Sequence, residues 1–191
     1  MIFLEVYEAI NKRRAFRSLK PFNVTKKLIK DLAESARLSA SCFNNQPWRY
    51  IFVYDRKILE KMHKALSDGN KWAQKASMII VVLGRSEDDC IIRDRIYYRF
   101  DIGMATAQMI LRATELGLVA HPIAGYSPKK TREILNIPED IDVITLVIVG
   151  KHSDKINPDM SDKQIASENI RPERIPIESF VYHNKWRNNV W

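Results

Sequence analysis

The spacing of hydrophobic residues predicts both helices and strands in the first half of the chain. From Thr25 to Ala36, apolar residues recur every three or four positions, which predicts an amphipathic helix capped by Asn23 or Thr25. The stretch Arg49 to Tyr54 alternates between apolar and polar residues, as a half-buried strand does. The unbroken apolar run Met78 to Leu83 predicts a buried central strand.

In the second half, the most strongly periodic segment is Asp101 to Leu118, which predicts a long helix with Gly117 at its C-terminal cap. This helix is apolar over so much of its circumference that either its own sheet or a second subunit must cover it. The runs Val119 to Ile123 and Val143 to Val149 are predicted strands. A chain of 191 residues lies within the range of one domain.

Composition and charge narrow the class of protein. The chain is 46% hydrophobic and 28% charged, which excludes a disordered or fibrous protein. Its net charge of +8 raises the possibility of a nucleic-acid partner. Because the basic and acidic residues are interspersed, we expect a solvated basic surface and no nucleic-acid partner. No apolar run approaches the length of a membrane span, so we expect a cytoplasmic protein without membrane contact.

The cysteines and histidines offer no framework for a disulfide or a metal. Cys42 and Cys90 are few and far apart, so we expect no structural disulfide and a reducing compartment. His121 and His152 lie away from any cysteine or carboxylate cluster at ligand spacing. We therefore predict no metal site and assign both histidines to structural or surface roles.

Two segments carry candidate binding chemistry. Ser39 to Trp48 follows a predicted helix and combines small residues with three amide side chains, which lets a flat ligand approach donors and acceptors. Three arginines lie within five positions at Arg13, Arg14 and Arg17, and the guanidinium fork suits a phosphate. The alternatives are a polar helix-to-strand loop for the first segment and a solvated surface turn for the second.

These segments resemble the nitroreductase family of FMN-dependent oxidoreductases. The run Ser-x-x-Asn-x-Gln-Pro-Trp, ending at Trp48, is similar to the family hallmark. Further agreement, in order and spacing, comes from 13–17, 101–118 and 122–126, with a weaker match at 174–182. The resemblance therefore covers nearly the whole chain.

The resemblance implies an α+β fold with a mixed, mostly antiparallel sheet flanked by helices. It implies a single FMN-binding domain over residues 1–191 and an obligate homodimer with FMN at the subunit interface. Residues 151–191 would form an extended C-terminal arm of this domain that embraces the partner subunit. We expect the arm to be docked by its aromatic residues Phe180, Tyr182, Trp186 and Trp191.

The resemblance also implies a set of cofactor-binding residues. One chain would supply Arg13, Arg14, Ala15, Arg17, Pro122, Ile123, Ala124, Gly125 and Arg174, and the other would supply Ser41, Cys42 and Asn44. The arginines near the N-terminus and Arg174 would hold the phosphate, with Arg171 as the alternative to Arg174, and Arg17 would lie by the pyrimidine edge. Pro122 and Ile123 would pack under the ring. A backbone amide of Ala124 or Gly125 would donate to flavin N5, because a glycine lets backbone come close to a ligand.

The activity implied is a ping-pong transfer of hydride from NAD(P)H to flavin N5 and then to a small electron-poor acceptor, such as a nitroaromatic or quinone. No residue of the chain acts as nucleophile or general base in this scheme. The alternatives are a flavoenzyme of the same fold that dehalogenates or fragments flavin, a non-catalytic FMN-binding protein, and a basic nucleic-acid-binding protein. Cys42 is expected to be a small packing residue, with a redox role as the alternative. The sequence contains no Rossmann fingerprint and leaves the choice between NADH and NADPH open.

Overall fold

A computed structural model describes residues 5–187, which contain six α-helices and seven strands. The helices are α1 (Val6–Lys12), α2 (Lys26–Arg37), α3 (Arg56–Met62), α4 (Tyr98–Glu115), α5 (Pro128–Leu135) and α6 (Asp162–Asn169). The strands are β1 (Leu19–Lys20), β2 (Arg49–Val53), β3 (Met78–Gly84), β4 (Ile91–Ile92), β5 (Arg95–Ile96), β6 (Val119–Ile123) and β7 (Asp142–His152). Across these described residues, no helix combines the length and the apolar character needed to cross a membrane.

The long strand β7 organises a five-stranded sheet. It pairs with β3 along one edge, and with β6 and then β1 along the other, while β2 adds to the far side of β3. Each of these pairings is antiparallel, and β4 and β5 form a separate antiparallel hairpin. The mixed helix-and-sheet fold predicted from the sequence is confirmed.

Strand β3 is buried on both faces, as its unbroken apolar run predicts. Met78, Ile80 and Val82 pack in one cluster with residues of α2 and α4. The intervening side chains pack in a second cluster that includes Leu59 of α3 and the fully buried Trp72. The sheet is therefore covered by helices on one face and by helices and short turns on the other.

Helix α4 begins at Tyr98, three residues before the predicted start, because the buried Tyr98 side chain anchors the first turn in the core. Its predicted cap is present: Gly117 has φ +72°, and the Leu118 N–H donates to the carbonyl oxygen of Ala113 at 2.8 Å. A residue with a Cβ is strained in this left-handed conformation. The glycine therefore ends the helix and lets the chain enter β6 directly.

The chain after α6 has no regular structure up to residue 187 apart from one short turn at Ile177–Ser179. Within one chain, Phe180 is 56% exposed and Trp186 is 75% exposed, so docking of this segment by its aromatic residues stays a prediction for the dimer. Tyr182 packs on Trp186, with ring centroids 4.5 Å apart, and Trp191 lies outside the described residues.

Candidate functional site

The segment between α1 and β1 meets the end of α6 through its arginines. Arg14 Nη2 donates to the carbonyl oxygens of Ser167 (2.8 Å) and Glu168 (3.1 Å) in the last turn of α6. Arg171, two residues beyond α6, donates back to the carbonyl oxygen of Arg13 at 3.1 Å. The fold thus brings together two segments that lie 153 to 158 residues apart in sequence.

These segments enclose a cavity of about 180 Å³. It is lined by Arg13, Arg14, Ala15, Arg17, Ser167, Arg171, Pro172 and Arg174. The residues assigned to the phosphate from the sequence lie in 13–17 and in the C-terminal arm. All of them border this cavity. Ser167 and Pro172 were not predicted, and no motif in the sequence marks them.

Two arginines of this cavity, Arg13 and Arg17, are disfavoured in their charged form. Burial, followed by the like charges of Arg171 and Arg174, lowers the pKa of Arg13. Burial also lowers the pKa of Arg17, and the charge of Glu168 opposes that shift only in part. Arg17 Nε is buried without a hydrogen-bond partner among residues 5–187. A buried guanidinium donor without an acceptor is costly, so the arrangement suits an anion.

Glu168 holds the backbone of the arginine segment in place, and no sequence pattern indicated this role. It is 5% exposed, and its two carboxylate oxygens accept from the backbone N–H groups of Arg17 and Ser18, each at 2.9 Å. His152 of β7 approaches the same carboxylate at 3.5 Å. Glu168 thus fixes the backbone that carries Arg17 while leaving the Arg17 guanidinium to face the cavity.

A stack of rings connects the arginine cavity to β6. His121 lies 4.7 Å from Trp72 between ring centroids, and its Nδ1 contacts the carbonyl oxygen of Phe16 at 3.2 Å. The guanidinium carbon of Arg17 lies 5.8 Å from the Trp72 ring. Burial, together with the nearby positive charges of Arg17 and Arg13, lowers the pKa of His121 to about 4. The imidazole is therefore neutral near pH 7 and has the structural role that the sequence predicted.

We expect His121 to make the protein sensitive to acid. Folding lowers the pKa of His121 from 6.5 to about 4, so the unfolded chain binds the proton more tightly than the folded protein does. The free energy of unfolding therefore decreases as the pH falls from 6.5 to about 4. The loss amounts to about 3 kcal/mol by pH 4. Urea denaturation at pH 7 and pH 4.5 should show a smaller acid loss for His121→Phe than for the wild type. An unchanged loss in His121→Phe would contradict the assignment.

The segment Pro122 to Gly125 reaches the same region. Ile123 is buried in the core at 6% exposure, because β6 turns this side chain inward. Contacts within the chain require a glycine at position 125. A Cβ there would collide with Ser67 Oγ and Asn70 Nδ2. Pro122 and Ala124 are exposed.

The carbonyl of Gly125 is held by three donors. It accepts from Ser67 N–H (3.1 Å), Ser67 Oγ (2.8 Å) and Asn70 Nδ2 (2.9 Å). Asn70 in turn accepts from Trp72 Nε1 at 3.1 Å. A chain of direct contacts therefore runs from Arg17 through Trp72 and Asn70 to Gly125, and these two predicted groups belong to one region.

The loop from Ser39 to Trp48 lies elsewhere and is tied to α4. The Cys42 N–H donates to Asp101 Oδ2 at 2.6 Å, and Ser41 Oγ accepts from the Gln46 N–H at 3.0 Å. Asn44 is exposed and has φ +59°. Polar bonds within the chain therefore already occupy Ser41 Oγ and the Cys42 amide, while the Asn44 side chain faces outward.

The expectation that the cysteines are unpaired is wrong: Cys42 and Cys90 form a disulfide. Their separation of 48 residues in sequence hid the pairing, because the fold brings the loop before β2 against the segment that follows β3. In the described part of the chain, a single group of potential metal ligands comes together, namely Cys42, Asp89 and Cys90, with ligand atoms within 4.8 Å of one another. The disulfide occupies both sulfurs of this group.

One chain does not bring the arginine cavity and the Ser39–Trp48 loop together. The loop leads into β2 where Arg49 pairs with Leu83, and Leu83 pairs with Val143 near the start of β7. The arginine segment leads into β1, where Leu19 pairs with His152 at the end of β7. The length of β7 between these two points is on the order of 30 Å at strand rise.

Comparisons with known proteins agree on one family. The nitroreductase family profile matches residues 10–78 and 69–151. The chain is 28% identical over 184 residues to an Archaeoglobus fulgidus protein described as a candidate NADH dehydrogenase/NAD(P)H nitroreductase, covering 92% of this chain and 99% of that one. It is 23% identical over 215 residues to a Thermus thermophilus NADH dehydrogenase, covering 96% and 97% of the two chains.

A solved structure described as an oxidoreductase containing FMN superposes with a TM-score of 0.82 at 24% identity, covering 94% of this chain and 92% of that one. A nitroreductase family protein from Clostridium difficile superposes with a TM-score of 0.76 at 23% identity, covering 97% and 99%. These structural matches establish the fold, and the profile match extends across well over half of the sequence. The chain belongs to the nitroreductase family.

Proposed function

We propose that this protein is an FMN-dependent NAD(P)H oxidoreductase whose single domain binds the FMN phosphate in the arginine cavity. The observation that carries the proposal is the buried Arg17 Nε, which has no hydrogen-bond partner in residues 5–187, beside four further arginines around one cavity. A phosphate supplies several acceptor oxygens and the negative charge that this cluster lacks. The relatives described above, named for NAD(P)H and FMN, support the same assignment.

The hydrogen bonds that each arginine already makes indicate which of them can bind the phosphate. Arg14 already donates to two carbonyl oxygens of α6, and Arg171 donates to the backbone near Arg13. Arg174 makes no hydrogen bond or ion pair to the described part of the chain. We therefore assign the phosphate to Arg13, Arg17 and Arg174, and we assign Arg171 to holding the C-terminal segment against the cavity.

When bound, FMN would supply the redox chemistry that carries hydride from NAD(P)H to a small electron-poor acceptor such as a nitroaromatic or quinone. The chain's own residues bind, orient and stabilise charge. Arg17 contributes a fixed positive charge beside the Trp72 ring, which would stabilise the negatively charged phosphate. His121 remains neutral near pH 7, so it adds no second charge and donates no proton there. The exposed Ala124, next to the fixed Gly125 carbonyl, offers backbone rather than side-chain contact.

We further propose that the site is completed by a second copy of the chain. The Ser39–Trp48 loop and the arginine cavity lie at opposite ends of β7, so Ser41, Cys42 and Asn44 can reach a cofactor held by the arginines only from another subunit. The exposed apolar residues support such an interface. They include Val6 and Tyr7 on α1, 71% and 77% exposed, and Phe100 on α4, 63% exposed. Large exposed apolar side chains on adjacent helices are typical of an interface.

Replacing Phe100 with Glu should convert the dimer to a monomer, because a charge would be buried in the apolar contact. Light scattering coupled to gel filtration should give half the wild-type mass, and bound flavin should fall in parallel. Ile58→Glu is the matched control: it places the same charge on α3, where Ile58 is 38% exposed, and should leave a dimer with flavin. If Phe100→Glu remains a dimer of normal flavin content, α4 does not form the interface.

The proposed activity is tested by the visible spectrum of the purified protein after reconstitution with FMN, before and after anaerobic addition of NADH or NADPH. We expect flavin absorption that disappears with at least one of the two nucleotides and returns when a quinone or nitroaromatic is added. Bound flavin that neither nucleotide reduces would instead favour a non-catalytic FMN-binding protein. A protein that takes up no FMN would reject the proposal.

A further inference from the structure

The Ser39–Trp48 loop has a strained backbone that contacts with other segments must hold in place. Phe43, Asn44 and Gln46 have φ of +48°, +59° and +53°, in the left-handed region that favours glycine. Phenylalanine is strained in this region, and such a conformation persists only where the surrounding structure fixes it. The loop itself carries no charged side chain. Its anchors on other segments therefore determine where its proposed cofactor contacts lie.

Two buried aspartates supply these anchors. Asp101, in the first turn of α4, is 2% exposed, and its Oδ2 accepts from the Cys42 N–H at 2.6 Å. Asp89, in the segment between β3 and β4, is 9% exposed, and its Oδ1 accepts from Asn45 Nδ2 at 3.3 Å. The two carboxyl groups therefore hold the loop on both sides of Phe43.

The two carboxyl groups also lie in hydrogen-bond contact with each other. Burial raises the pKa of Asp101, the Cys42 N–H opposes this shift, and the charge and hydrogen bond of Asp89 add to it. Two ionised carboxylates can only accept, which leaves the buried Asp89 Oδ2 without a donor among residues 5–187. Because two adjacent buried negative charges repel, one proton between them is favoured. A proton on Asp101 would give Asp89 Oδ2 the donor that it lacks.

Ion pairs elsewhere occupy other charged groups of these two segments. They join Asp88 to Arg85 and Arg49, and Arg99 to Asp142. In the part of the chain that the structure describes, the polar groups that shift the pKa of Asp101 are the Cys42 N–H and Asp89. A shared proton is therefore the way in which the charge of the pair can be reduced.

We propose that Asp89 and Asp101 share one proton and that this carboxyl pair positions the Ser39–Trp48 loop on α4. Asp101 donates the shared proton to Asp89 while its Oδ2 accepts from the Cys42 N–H, and Asp89 accepts from Asn45. Loss of the proton leaves two adjacent buried negative charges, which loosens the contact between α4 and the loop. Both aspartates are positioning residues, since they act through the backbone and side chains of the loop.

The direction of the pH dependence follows from the raised pKa of Asp101. The folded protein keeps a proton that an ordinary aspartate releases near pH 3.8. The shared proton therefore contributes its full stabilisation below that pH, and the stabilisation is lost as the pH rises through the pKa of the folded pair. We expect the loop to be held more firmly in mild acid than in base.

The first test is the infrared spectrum of the full chain, with isotope-labelled aspartate carboxyl groups that distinguish them from glutamate, recorded across pH. We expect a protonated aspartate band that persists well above pH 3.8 and that moves to lower pH in both Asp89→Asn and Asp101→Asn. Asp140→Asn removes an aspartate whose side chain is 59% exposed and should leave the band unchanged. Aspartates that all ionise near the ordinary value in the wild type would overturn the shared proton.

The second test is hydrogen exchange of the Cys42 amide, observed by NMR with nitrogen-labelled cysteine. Asp101→Ala should exchange roughly tenfold faster or more, because the amide loses a buried acceptor. Asp101→Asn keeps an acceptor for Cys42 and a donor for Asp89, so it should restore slow exchange. Exchange in the wild type should also increase with pH more steeply than in Asp101→Asn, whose amide does not titrate. Wild-type exchange in Asp101→Ala, or fast exchange in Asp101→Asn, would overturn the positioning role.

The consequence for the cofactor rests on the proposed function. Asp101→Ala should bind FMN more weakly than Asp101→Asn, because the loop that reaches the cofactor is no longer held. Equal FMN affinity in the two variants would overturn this consequence. The infrared and exchange measurements need no flavin, so they decide on the carboxyl pair even if the protein takes up no FMN. The infrared measurement on the wild type stands even if a variant does not fold.

Discussion

Replacing Arg17 with Ala should raise the dissociation constant for FMN by roughly 30- to 150-fold. Arg17 has a buried guanidinium nitrogen without a hydrogen-bond partner in the described residues, beside a cavity lined by four more arginines. A hydrogen bond to a charged group contributes about 2 to 3 kcal/mol, which corresponds to that change in affinity. Fluorescence titration of the flavin-free protein with FMN measures it directly.

Two variants show whether the loss comes from Arg17 itself. Arg17→Lys keeps the charge without the planar fork and should lose less affinity than Arg17→Ala. Arg56→Ala removes an exposed arginine on α3 and should bind FMN as the wild type does. If all three variants bind alike, Arg17 does not contact the cofactor. Because burial already lowers the pKa of Arg17, Arg17→Ala should not reduce the free energy of unfolding strongly, which separates lost binding from lost folding.

The largest effect on stability is expected from Glu168→Ala. The Glu168 carboxylate accepts from the N–H groups of Arg17 and Ser18, and Ser18 is fully buried. The substitution leaves one buried and one partly buried N–H donor without an acceptor, which costs about 3 to 5 kcal/mol in the free energy of unfolding. Urea denaturation at pH 7 should show this loss, and FMN affinity should fall as well because Arg17 loses its backbone support.

Glu168→Gln keeps one of the two acceptor oxygens and should destabilise the protein less than Glu168→Ala. Glu133→Ala is the matched control: it removes an exposed glutamate on α5 and should change the free energy of unfolding by less than about 0.5 kcal/mol. A Glu168→Ala protein as stable as Glu133→Ala would mean that water replaces the carboxylate at both N–H groups.

Local pattern was enough to predict most of the helices and strands. The apolar stripe of α2 with its Thr25 cap, the unbroken run of β3 and the glycine that ends α4 are all present as predicted. Each of these depends on residues within a few positions of one another. The bounds of α4 shifted because Tyr98 is held by the core, and the core is not visible in a local pattern.

The candidate site was predicted less evenly. The family resemblance indicated which arginines would gather, and the structure places Arg13, Arg14, Arg17 and Arg174 around one cavity. It gave no indication of Glu168, whose carboxylate meets residues about 150 positions away. It also gave no indication that Ile123 lies in the core, because the inward or outward direction of a strand residue depends on which face of the sheet meets the core.

By itself, the sequence determined the family, the order of most helices and strands, and two segments with candidate binding chemistry, because hydrophobic period, caps and motif spacing are local properties. Only the tertiary structure decided which distant groups meet. It paired Cys42 with Cys90, placed Glu168 beneath Arg17, and separated the Ser39–Trp48 loop from the arginine cavity by the length of β7. These relations depend on antiparallel pairing along one long strand, and the register of that strand is set by the packing of the whole core.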